Sequence, residues 1–529
     1  MARKSVVVVG AGPGGAVTTV DHCYDVVVIG AGLGGLSAAT LLAKKGHRVL
    51  VLERHNVAGG YATSFVRGRY EMEVSLHVLS DIGTPEHPGS LRRYLDDLGV
   101  SRHVELALVP SFARVVFPGI DLDLPADRAG FEDTLCRAFP ASAVGIRRFL
   151  DRVIAVSQEA DGLSDSFALP RMRRLLRAAT IPLRLRAIPR YLFATLGEVL
   201  ERDVADPRVR ALLCQAWSYV GLPPASASFI FYAATLGSLI RHSTAYPRTR
   251  SQGLSCAFVE TFLGFGGELR LGSGARRIEV ADGRVTGVET DEGDRVSARV
   301  VVSNVGPVVT YRDLMRPEDV PRSALAAMGA CPVGTSIFQI YLGVARSASE
   351  LGLDSHETML NESFDIEALY RRGLGFERPG HMLLCCPNVV APEISPAGTS
   401  LVTLSAMTYG RPWAELAPER YLDTKRQLAD HMLSWAEEIA PGLRDAVEVL
   451  EIGSPLTMMR YAGHPYGAIY GFENFPVSHT MLRPPPIGPL RGLFFAGAWT
   501  NPGGGYWPAI SSGQITGEIV GAMLQRRPA

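Results

Sequence analysis

The sequence is short of lysine and of net charge. Of its 53 basic residues only Lys4, Lys44, Lys45 and Lys425 are lysines. We interpret the preference for arginine as high-GC bacterial coding rather than as function. Basic and acidic residues balance at 53 each, so the bulk charge offers no attraction for nucleic acid, and none is expected as a partner.

The sequence also lacks C-x-x-C motifs and long apolar runs. Seven cysteines without a C-x-x-C pair indicate neither a disulfide framework nor a zinc site. We therefore predict that the protein binds no metal, and we expect it to reside in a reducing cytoplasm. No window supplies the roughly 18 apolar residues of a membrane-spanning helix. Glycine-rich sequence soon after Arg3 and Lys4 argues against a secretory signal peptide.

A strand, a glycine-rich loop and a helix follow one another from Tyr24. Residues 24–29 (YDVVVI) are typical of a buried parallel strand and lead directly into GAGLGG at 30–35, which has the pattern G-x-G-x-x-G. Apolar residues then recur at helical spacing up to Gly46, and a second strand is predicted over 48–52. This order is that of a βαβ unit that binds a dinucleotide.

Individual residues of this unit have physical roles. Gly30 permits the tight turn, Gly32 lets backbone amides approach a pyrophosphate, and Gly35 lets the helix pack on the strand. Glu53 follows Gly30 by 23 residues and can accept hydrogen bonds from an adenosine ribose. A second glycine pair at 59–60 predicts that the chain again passes close to the dinucleotide.

The first residues partly repeat this pattern. Residues 5–15 (SVVVVGAGPGG) repeat the strand and the loop, but residues 16–23 are too short for a crossover of roughly a dozen residues. We interpret residues 1–23 as an N-terminal extension with a partial motif repeat. The absence of a complete second site argues against a built-in NAD(P)H domain.

Strand and glycine patterns return in the second half of the chain. Strands are predicted over 268–271, 275–280, 284–289 and 295–302, and together they read as a β-meander. Residues 492–500 (GLFFAGAWT) predict a strand ending in small residues, followed by NPGGG and a helix over 509–524. A helix N-terminus behind glycine-rich backbone can stabilise negative charge on a bound flavin ring.

These motifs together resemble the phytoene desaturase, carotenoid cis-trans isomerase and retinol saturase group of flavoproteins. The resemblance covers nearly the whole chain after Tyr24 and rests on GAGLGG at 30–35 with Glu53 and the glycines at 59–60, RVTGVETDEG at 284–293, GLFFAG at 492–497 and PGGG at 502–505. Supporting matches are DP at 206–207, SYVG at 218–221, YP at 246–247, MRY at 459–461 and GAIYG at 467–471.

The resemblance implies an FAD-dependent oxidoreductase with a mixed α/β (α+β) fold. The expected architecture is a Rossmann-type FAD-binding domain of the glutathione reductase and amine oxidase type, formed by 24–99, 246–306 and 488–524, with an interleaved substrate-binding cap formed by 100–245 and 307–487. The cofactor-binding residues that the resemblance implies are Gly30, Gly32, Leu33, Gly34, Gly35, Glu53, Arg54, Gly59, Gly60, Tyr61, Ala62, Ala275, Gly497, Ala498, Gly505, Tyr506 and Trp507.

The sequence departs from the group where the substrate or the flavin ring is expected. Residues 72–75 (MEVS) replace the usual aromatic, acid, any residue and Gly, and RTRSQG follows Pro247 where two glycines are common. The substrate is therefore the least transferable property. The polar residues that we consider for catalysis are His77, Tyr246, Arg250 and Glu473.

Two further segments concern the substrate. Residues 229–240 (FIFYAATLGSLI) predict a buried helix that could line an apolar tunnel or belong to the ordinary core. Residues 170–190 hold seven arginines and no acid, with Pro182 and Pro189 breaking any long helix. This stretch is either a solvated face or a surface for peripheral membrane association.

The leading hypothesis is an enzyme that acts on a hydrophobic conjugated polyene or isoprenoid. The reaction would be desaturation, double-bond reduction, isomerisation or a flavin-triggered cyclisation in polyketide natural-product assembly, with an external electron acceptor or donor. An amine oxidase ranks lower, because Ala498 stands where those enzymes often carry an acid. A non-catalytic prenyl-protein escort is the third hypothesis, against which Glu53 and the glycines at 59–60 count.

Overall fold

The computed structural model describes residues 24–167, 185–478 and 482–525. The N-terminal extension and most of the arginine-rich stretch 170–190 lie outside these residues. The fold is mixed α/β, as predicted, with two large sheets. The strands are β1 Tyr24–Ile29, β2 Val49–Glu53, β3 Ser64–Arg67, β4 Tyr70–Glu73, β5 Leu106–Val109, β6 Ser111–Phe117, β7 Ile120–Pro125, β8 Thr244–Pro247, β9 Glu268–Leu271, β10 Ala275–Ala281, β11 Arg284–Thr290, β12 Arg295–Ser303, β13 Ser336–Val344, β14 Glu357–Asn361, β15 His381–Cys385, β16 Ser400–Thr408, β17 Val447–Gly453 and β18 Leu493–Phe495.

Helices cover both sheets. They are α1 Leu33–Lys44, α2 Ser90–Leu98, α3 Arg128–Ala138, α4 Ala143–Phe167, α5 Ala187–Tyr191, α6 Leu196–Asp203, α7 Pro207–Leu213, α8 Trp217–Val220, α9 Phe229–Ile240, α10 Arg250–Gly264, α11 Gly306–Asp313, α12 Arg322–Gly329, α13 Ile366–Arg372, α14 Gly410–Ala414, α15 Pro418–Ile439, α16 Pro455–Ala462 and α17 Tyr506–Leu524.

The first sheet has a parallel centre in the order β18, β12, β1, β2, β9. Val26 of β1 pairs with Val49 on one side and with Val300 on the other. Both faces of the central strand β1 are covered, which explains its continuous β-branched run Val26 to Ile29. The antiparallel strands β10 and β11 extend the sheet from β12. The prediction that 268–271 belongs to this meander is wrong, because β9 pairs in parallel with β2.

Helices α1 and α17 lie side by side on this sheet. The hydroxyl of Ser37 in α1 donates a hydrogen bond to the carbonyl of Ile510 in α17 at 2.8 Å, and Ser37 is fully buried. Lys45 at the end of α1 forms an ion pair with Glu518 at 2.7 Å. The first helix after the glycine loop and the last helix of the chain are therefore packed as one layer.

The second sheet is built from other parts of the chain, in the order β17, β13, β16, β15, β14, β6, β7. Its neighbouring strands are antiparallel except β14 and β6. Apolar residues on one face pack with Leu428 and Met432 of α15, and residues such as Met359 on the other face pack with α4 and α9. The sheet is thus a buried middle layer, and it forms the floor of the region next to α9.

Helix α9 has the bounds predicted from the sequence, and the hydroxyl of Ser228 caps its N-terminus by accepting from the amide of Phe231. The strands of the first sheet come from 24–53, 268–303 and 493–495, and those of the second from 111–125 and 336–453. Strand β8 pairs with β5 across the predicted border at 245/246, and the domain division stays a prediction. Within the described ranges, every helix is too short or too polar to cross a bilayer.

Candidate active site

A cavity of about 1520 Å³ opens at the carboxyl ends of the parallel strands and continues towards α9 and the second sheet. Gly30, Glu53 and Asn304 lie at one end of it, and Ile230 and Met407 lie in the other part. Pockets for a single drug-sized ligand measure roughly 300–1,000 Å³. The cavity therefore has room for a large cofactor and a second molecule beside it.

The glycine loop leaves its backbone exposed to this cavity. Gly30 has a φ of +92°, which favours glycine. A Cβ atom on Gly34 would lie 2.6 Å from the Cα of Gly497, and one on Gly35 would lie 2.2 Å from the carbonyl oxygen of Gly30. Gly35 thus permits close packing of helix on strand, and the first turn of α1 presents free amides to the cavity.

Glu53 fixes the loop from the end of β2. One carboxylate oxygen accepts from the amide of Ala31 at 2.7 Å and the other from the amide of His55 at 2.8 Å. A carboxylate has roughly four acceptor positions, so both oxygens keep capacity for a further donor. Glu53 lines the cavity, where a ribose hydroxyl could supply that donor.

The second glycine pair lies beside the first loop. The amide of Gly59 donates to the carbonyl of Ala31 at 2.8 Å. Gly59 and Gly60 both have positive φ, +131° and +62°. Tyr61 and Ala62 follow and line the cavity. The structure therefore brings residues 30–35 and 59–62 together as one cradle.

The C-terminal segment closes the other side of the cradle. Gly497, with φ +94°, follows β18, and its amide donates to the hydroxyl of Ser512 at 3.1 Å. Gly505 precedes α17, which begins at Tyr506 rather than at the predicted residue 509. Pro508 is tolerated there because the first turn of a helix needs no amide hydrogen bond. Tyr506 and Trp507 line the cavity.

The remaining cofactor predictions fall in the same place. Leu33, Arg54, Ala275 and Ala498 also line the cavity, whereas Gly35 contributes through packing. The structure thus assembles these residues around one space, and their contacts with a cofactor stay predictions.

Asn304 is a cavity residue that the sequence did not single out. It follows β12, and a Cβ on Gly32 would lie 2.7 Å from its Nδ2. A Cβ on Gly497 would lie 2.5 Å from its Oδ1. Its position at the end of a predicted strand could have indicated Asn304. Ligands of parallel sheets bind at the carboxyl ends of adjacent strands, and β12 is adjacent to β1.

Arg483 is a second residue that the sequence did not reveal. Its guanidinium donates to the carbonyls of Ala498 at 2.6 Å and of Tyr470 at 3.1 Å, and also to the carbonyl of Phe472 and the side chain of Asn474. Its exposed fraction is 3%. Burial lowers the pKa of Arg483 to about 10. Arg483 therefore ties residues 470–474 to the strand end at 498.

Of the four residues considered for catalysis, His77 lies on the cavity wall, where its Nδ1 is 2.8 Å from the carboxylate of Glu357. Tyr246 is fully buried against His356, with 5.4 Å between ring centroids. Arg250 pairs with the carboxylate of Glu71 at 3.0 Å. Neither Tyr246 nor Arg250 lines the cavity.

Glu473 is also not a cavity-lining residue. Its carboxylate accepts a hydrogen bond from the hydroxyl of Tyr409. Burial raises the pKa of Glu473 to about 7. The catalytic roles of His77, Tyr246, Arg250 and Glu473 stay predictions, and the structure favours His77 by position. No group of residues suited to holding a metal ion occurs in the described ranges.

A Rossmann-type unit whose glycine cradle opens into a second chamber defines the class of dinucleotide-dependent oxidoreductases. Residues 33–518 match the family model of the flavin containing amine oxidoreductases. The chain belongs to this family.

Three curated relatives are similar over most of the chain. Prolycopene isomerase 1 from an Oncidium hybrid is 25% identical over 98% of this chain and 88% of its own. The lycopene-forming phytoene desaturase of Pseudescherichia vulneris is 26% identical over 94% of this chain and 99% of its own. All-trans-retinol 13,14-reductase of Danio rerio is 25% identical over 85% of this chain and 78% of its own.

Solved structures show the same fold. Cyclohexylamine oxidase from Brevibacterium oxydans superposes with a TM-score of 0.60 at 18% identity, over 95% of this chain and all of that one. A putrescine oxidase gives a TM-score of 0.60 at 16% identity, over 96% and 99%. These likenesses concern the fold alone.

The chain is an enzyme, an FAD-dependent oxidoreductase, and its cofactor is FAD. The cradle fits this cofactor in three respects. Side chains on Gly34 and Gly35 would collide with backbone, the first amides of α1 have no intrahelical acceptor, and Glu53 retains acceptor capacity. The non-catalytic escort hypothesis is therefore not favoured.

Proposed function

We propose that this enzyme acts on a hydrophobic conjugated polyene or isoprenoid, by desaturation, double-bond reduction or isomerisation. The observation that carries the proposal is that the cofactor cradle and an apolar chamber form one continuous cavity. The apolar residues of the chamber are Ile188, Ile230, Phe231, Leu239, Ile337, Leu383, Met407, Leu456 and Ile469.

The relatives support this substrate class. Prolycopene isomerase, phytoene desaturase and all-trans-retinol reductase are named for extended hydrophobic molecules with carbon–carbon double bonds. The three reactions differ, but each requires an apolar chain to lie beside the cofactor. The relatives therefore support the class of substrate, whereas the choice among reactions remains for experiment.

The residues of the chain bind and shield such a substrate. Bound FAD supplies hydride transfer to or from carbon. The apolar walls exclude water and hold an apolar chain without specific polar contacts. Tyr506, whose hydroxyl is 3.1 Å from that of Ser75, and Trp507 form the wall next to the start of α17.

Electron balance defines a further partner. Isomerisation is redox-neutral overall, whereas desaturation needs an external electron acceptor and reduction needs an external donor. The proposal therefore includes such a partner for the two latter reactions.

Because polyenes partition into lipid, we also propose a cytoplasmic enzyme that associates peripherally with a membrane. Cyclisation of a polyketide polyene would use the same chamber.

The test is incubation of the purified yellow protein with phytoene, prolycopene and all-trans-retinol in detergent micelles. Reactions run in air, with a quinone acceptor, and with dithionite-reduced flavin, and products are separated by chromatography and weighed by mass spectrometry. We expect a product that has lost or gained two hydrogens, or an isomer of equal mass. Consumption of no polyene, together with hydrogen peroxide release from amines, would overturn the proposal in favour of an amine oxidase.

A further inference from the structure

Three polar side chains meet at the wall of the apolar chamber. His77 follows β4, Tyr219 lies in α8, and Glu357 is the first residue of β14. The Nδ1 of His77 is 2.8 Å from Oε1 of Glu357, and the hydroxyl of Tyr219 bonds the same oxygen. His77 and Tyr219 line the cavity, and the exposed fraction of Glu357 behind them is 2%.

The contacts define which atoms carry protons. Burial, followed by the negative charge of Glu357, raises the pKa of Tyr219 well above its ordinary value, so its hydroxyl keeps its proton and donates. Glu357 is then the acceptor, and we assign the proton of the His77 contact to Nδ1. Nε2 is left as the nitrogen available to a molecule in the chamber.

The backbone at and before His77 is held by two sets of contacts. The carboxylate of Glu73 accepts from the amides of Ser75 and Leu76, both at 3.2 Å, which fixes the loop that leads to His77. The carbonyl of His77 accepts from Nε2 of His356 at 2.8 Å. A ring with this much support keeps its orientation when a substrate enters, which is what proton transfer requires.

Glu357 is not fully satisfied. Its second oxygen, Oε2, is buried and has no hydrogen-bond partner in the part of the chain that the structure describes. A buried carboxylate in this state is costly unless a positive charge forms next to it. An imidazolium that forms at His77 during proton transfer would lie 2.8 Å from this carboxylate, which would stabilise its positive charge.

A second histidine of the chamber serves as a comparison. His381 also lines the cavity, but its Nδ1 contacts the side-chain amide of Asn361 at 2.9 Å rather than a carboxylate. Burial lowers the pKa of His381 to about 4, so it is neutral at physiological pH. The two histidines therefore differ in the charge of their hydrogen-bond partner, which is a carboxylate for His77 and an amide for His381.

We propose that Nε2 of His77 exchanges a proton with a carbon of the substrate, and that Glu357 and Tyr219 are positioning residues. This inference rests on the proposed function. In desaturation, one carbon would lose its hydrogen as a hydride to oxidised FAD, and a C–H bond on the neighbouring carbon breaks. Its electron pair becomes the new π bond, and the proton moves to Nε2. In reduction, the proton returns from Nε2 to carbon as the neighbouring carbon gains a hydride.

The first test is His77→Gln in the FAD-loaded enzyme. We expect kcat to fall about 100- to 10,000-fold, the range of general acid–base catalysis, with KM and FAD content changed less than about threefold. An H77Q enzyme with wild-type kcat would overturn the inference.

The matched control is His381→Gln, which alters the same chamber without touching a carboxylate. We expect this variant to change KM by up to about tenfold and to keep kcat within about threefold of the wild type. A fall in kcat of about 100-fold or more in H381Q, together with a wild-type kcat in H77Q, would assign the proton to the other histidine and overturn the inference.

A spectroscopic test does not depend on turnover. Nitrogen-15 NMR of the histidine-labelled holoenzyme, with the His77 signal identified by its loss in H77Q, is expected to show a proton on Nδ1 and a bare Nε2 at high pH. Glu357→Gln should shift the Nδ1 signal, and Tyr219→Phe should shift it less. A proton on Nε2 with a bare Nδ1 would overturn the inference.

The outcomes separate the two proposals. If the wild type consumes none of the polyenes, the proposed function fails, and the proton-transfer role fails with it. If the wild type consumes a polyene and H77Q does so equally well, the proposed function stands and the inference alone fails.

Discussion

Gly513 in the last helix lies directly against Gly34 in the first: a Cβ atom on Gly513 would lie 2.2 Å from the carbonyl oxygen of Gly34. Gly34 is equally confined, because its own Cβ would lie 2.6 Å from the Cα of Gly497. Three distant glycines thus set the separation between α1, α17 and the end of β18, and with it the width of the cofactor cradle.

We expect Gly513→Ala to destabilise the protein by about 1–3 kcal/mol, because backbone atoms cannot move aside as a side chain would. Thermal unfolding by circular dichroism measures this, and gel filtration followed by absorbance measures retained FAD, which should also fall. Gly521→Ala is the control in the same helix. Its Cβ would meet the flexible side chain of Lys45 at 3.0 Å and that of Leu42 at 3.8 Å, so it should be neutral or slightly stabilising.

Glu53→Ala should weaken FAD binding by at least about tenfold. The amides of Ala31 and His55 lose a charged acceptor, and such bonds contribute roughly 1.5–3 kcal/mol each. The affinity is obtained from the flavin absorbance that remains bound after dialysis of the protein at a series of concentrations. The exposed Glu318→Ala is the control and should keep its flavin. Full flavin occupancy in E53A at micromolar protein would contradict the cradle.

Arg483→Met should cost about 3–5 kcal/mol, because it frees three carbonyls and leaves Glu473 without the nearby positive charge. Adding Glu473→Gln should restore part of the loss. Urea unfolding of both single variants and the double variant gives the coupling energy. Strict additivity of the two changes would show that Arg483 acts through the carbonyls alone.

Asp81→Asn should remove a pH dependence of stability. Burial, with a smaller contribution from Asp161, raises the pKa of Asp81 from 3.8 to about 7. His242 is 3.6 Å away, but burial lowers its pKa, so it gives little compensation at neutral pH.

Since the folded-state pKa of Asp81 is raised, its stabilisation is complete below about pH 4 and is lost as the pH rises through 7. The wild type should therefore lose stability between pH 5 and 8, by on the order of 1–3 kcal/mol more than D81N. Asparagine tolerates the φ of +59° at this position. Denaturant midpoints of the wild type and D81N, measured across this pH range, test the prediction. Parallel curves of midpoint against pH for the two proteins would refute it.

Ala234→Phe should narrow the chamber. Ala234 lies in α9 and lines the cavity, so a phenyl ring there takes space from the substrate. We expect KM for phytoene to rise at least about tenfold, and KM for the shorter retinol to rise less. Competition assays with both compounds measure the ratio. Ala326→Phe, on an exposed part of α12, is the control and should change neither value.

The cofactor unit was predictable because its signals are local. The strand at 24–29 and the helix at 229–240 have the predicted bounds, and the role of Gly35 follows from the motif. Each of these depends on the order of residues within one short segment, where periodicity and glycine placement carry the information.

The candidate proton-transfer group was only half predictable. His77 could be named as a polar residue near the expected ring, but Glu357 follows it by 280 positions and meets it through the register of a different sheet. The same holds for β9, which pairs with β2 rather than with its neighbours in sequence. Such contacts depend on which distant strands pair, and no local pattern encodes that choice.

The first sheet takes its strands from the beginning, the middle and the last part of the chain, with β18 at residues 493–495 and α17 covering them. During synthesis, the glycine loop emerges long before the strand that completes its surroundings. The edge of β12 and the flank of α1 therefore stay uncovered until residues 493–524 have been synthesised. We therefore expect stable flavin binding only after these residues have emerged, and a chain cut just before Leu493 should expose the unpaired edge of β12.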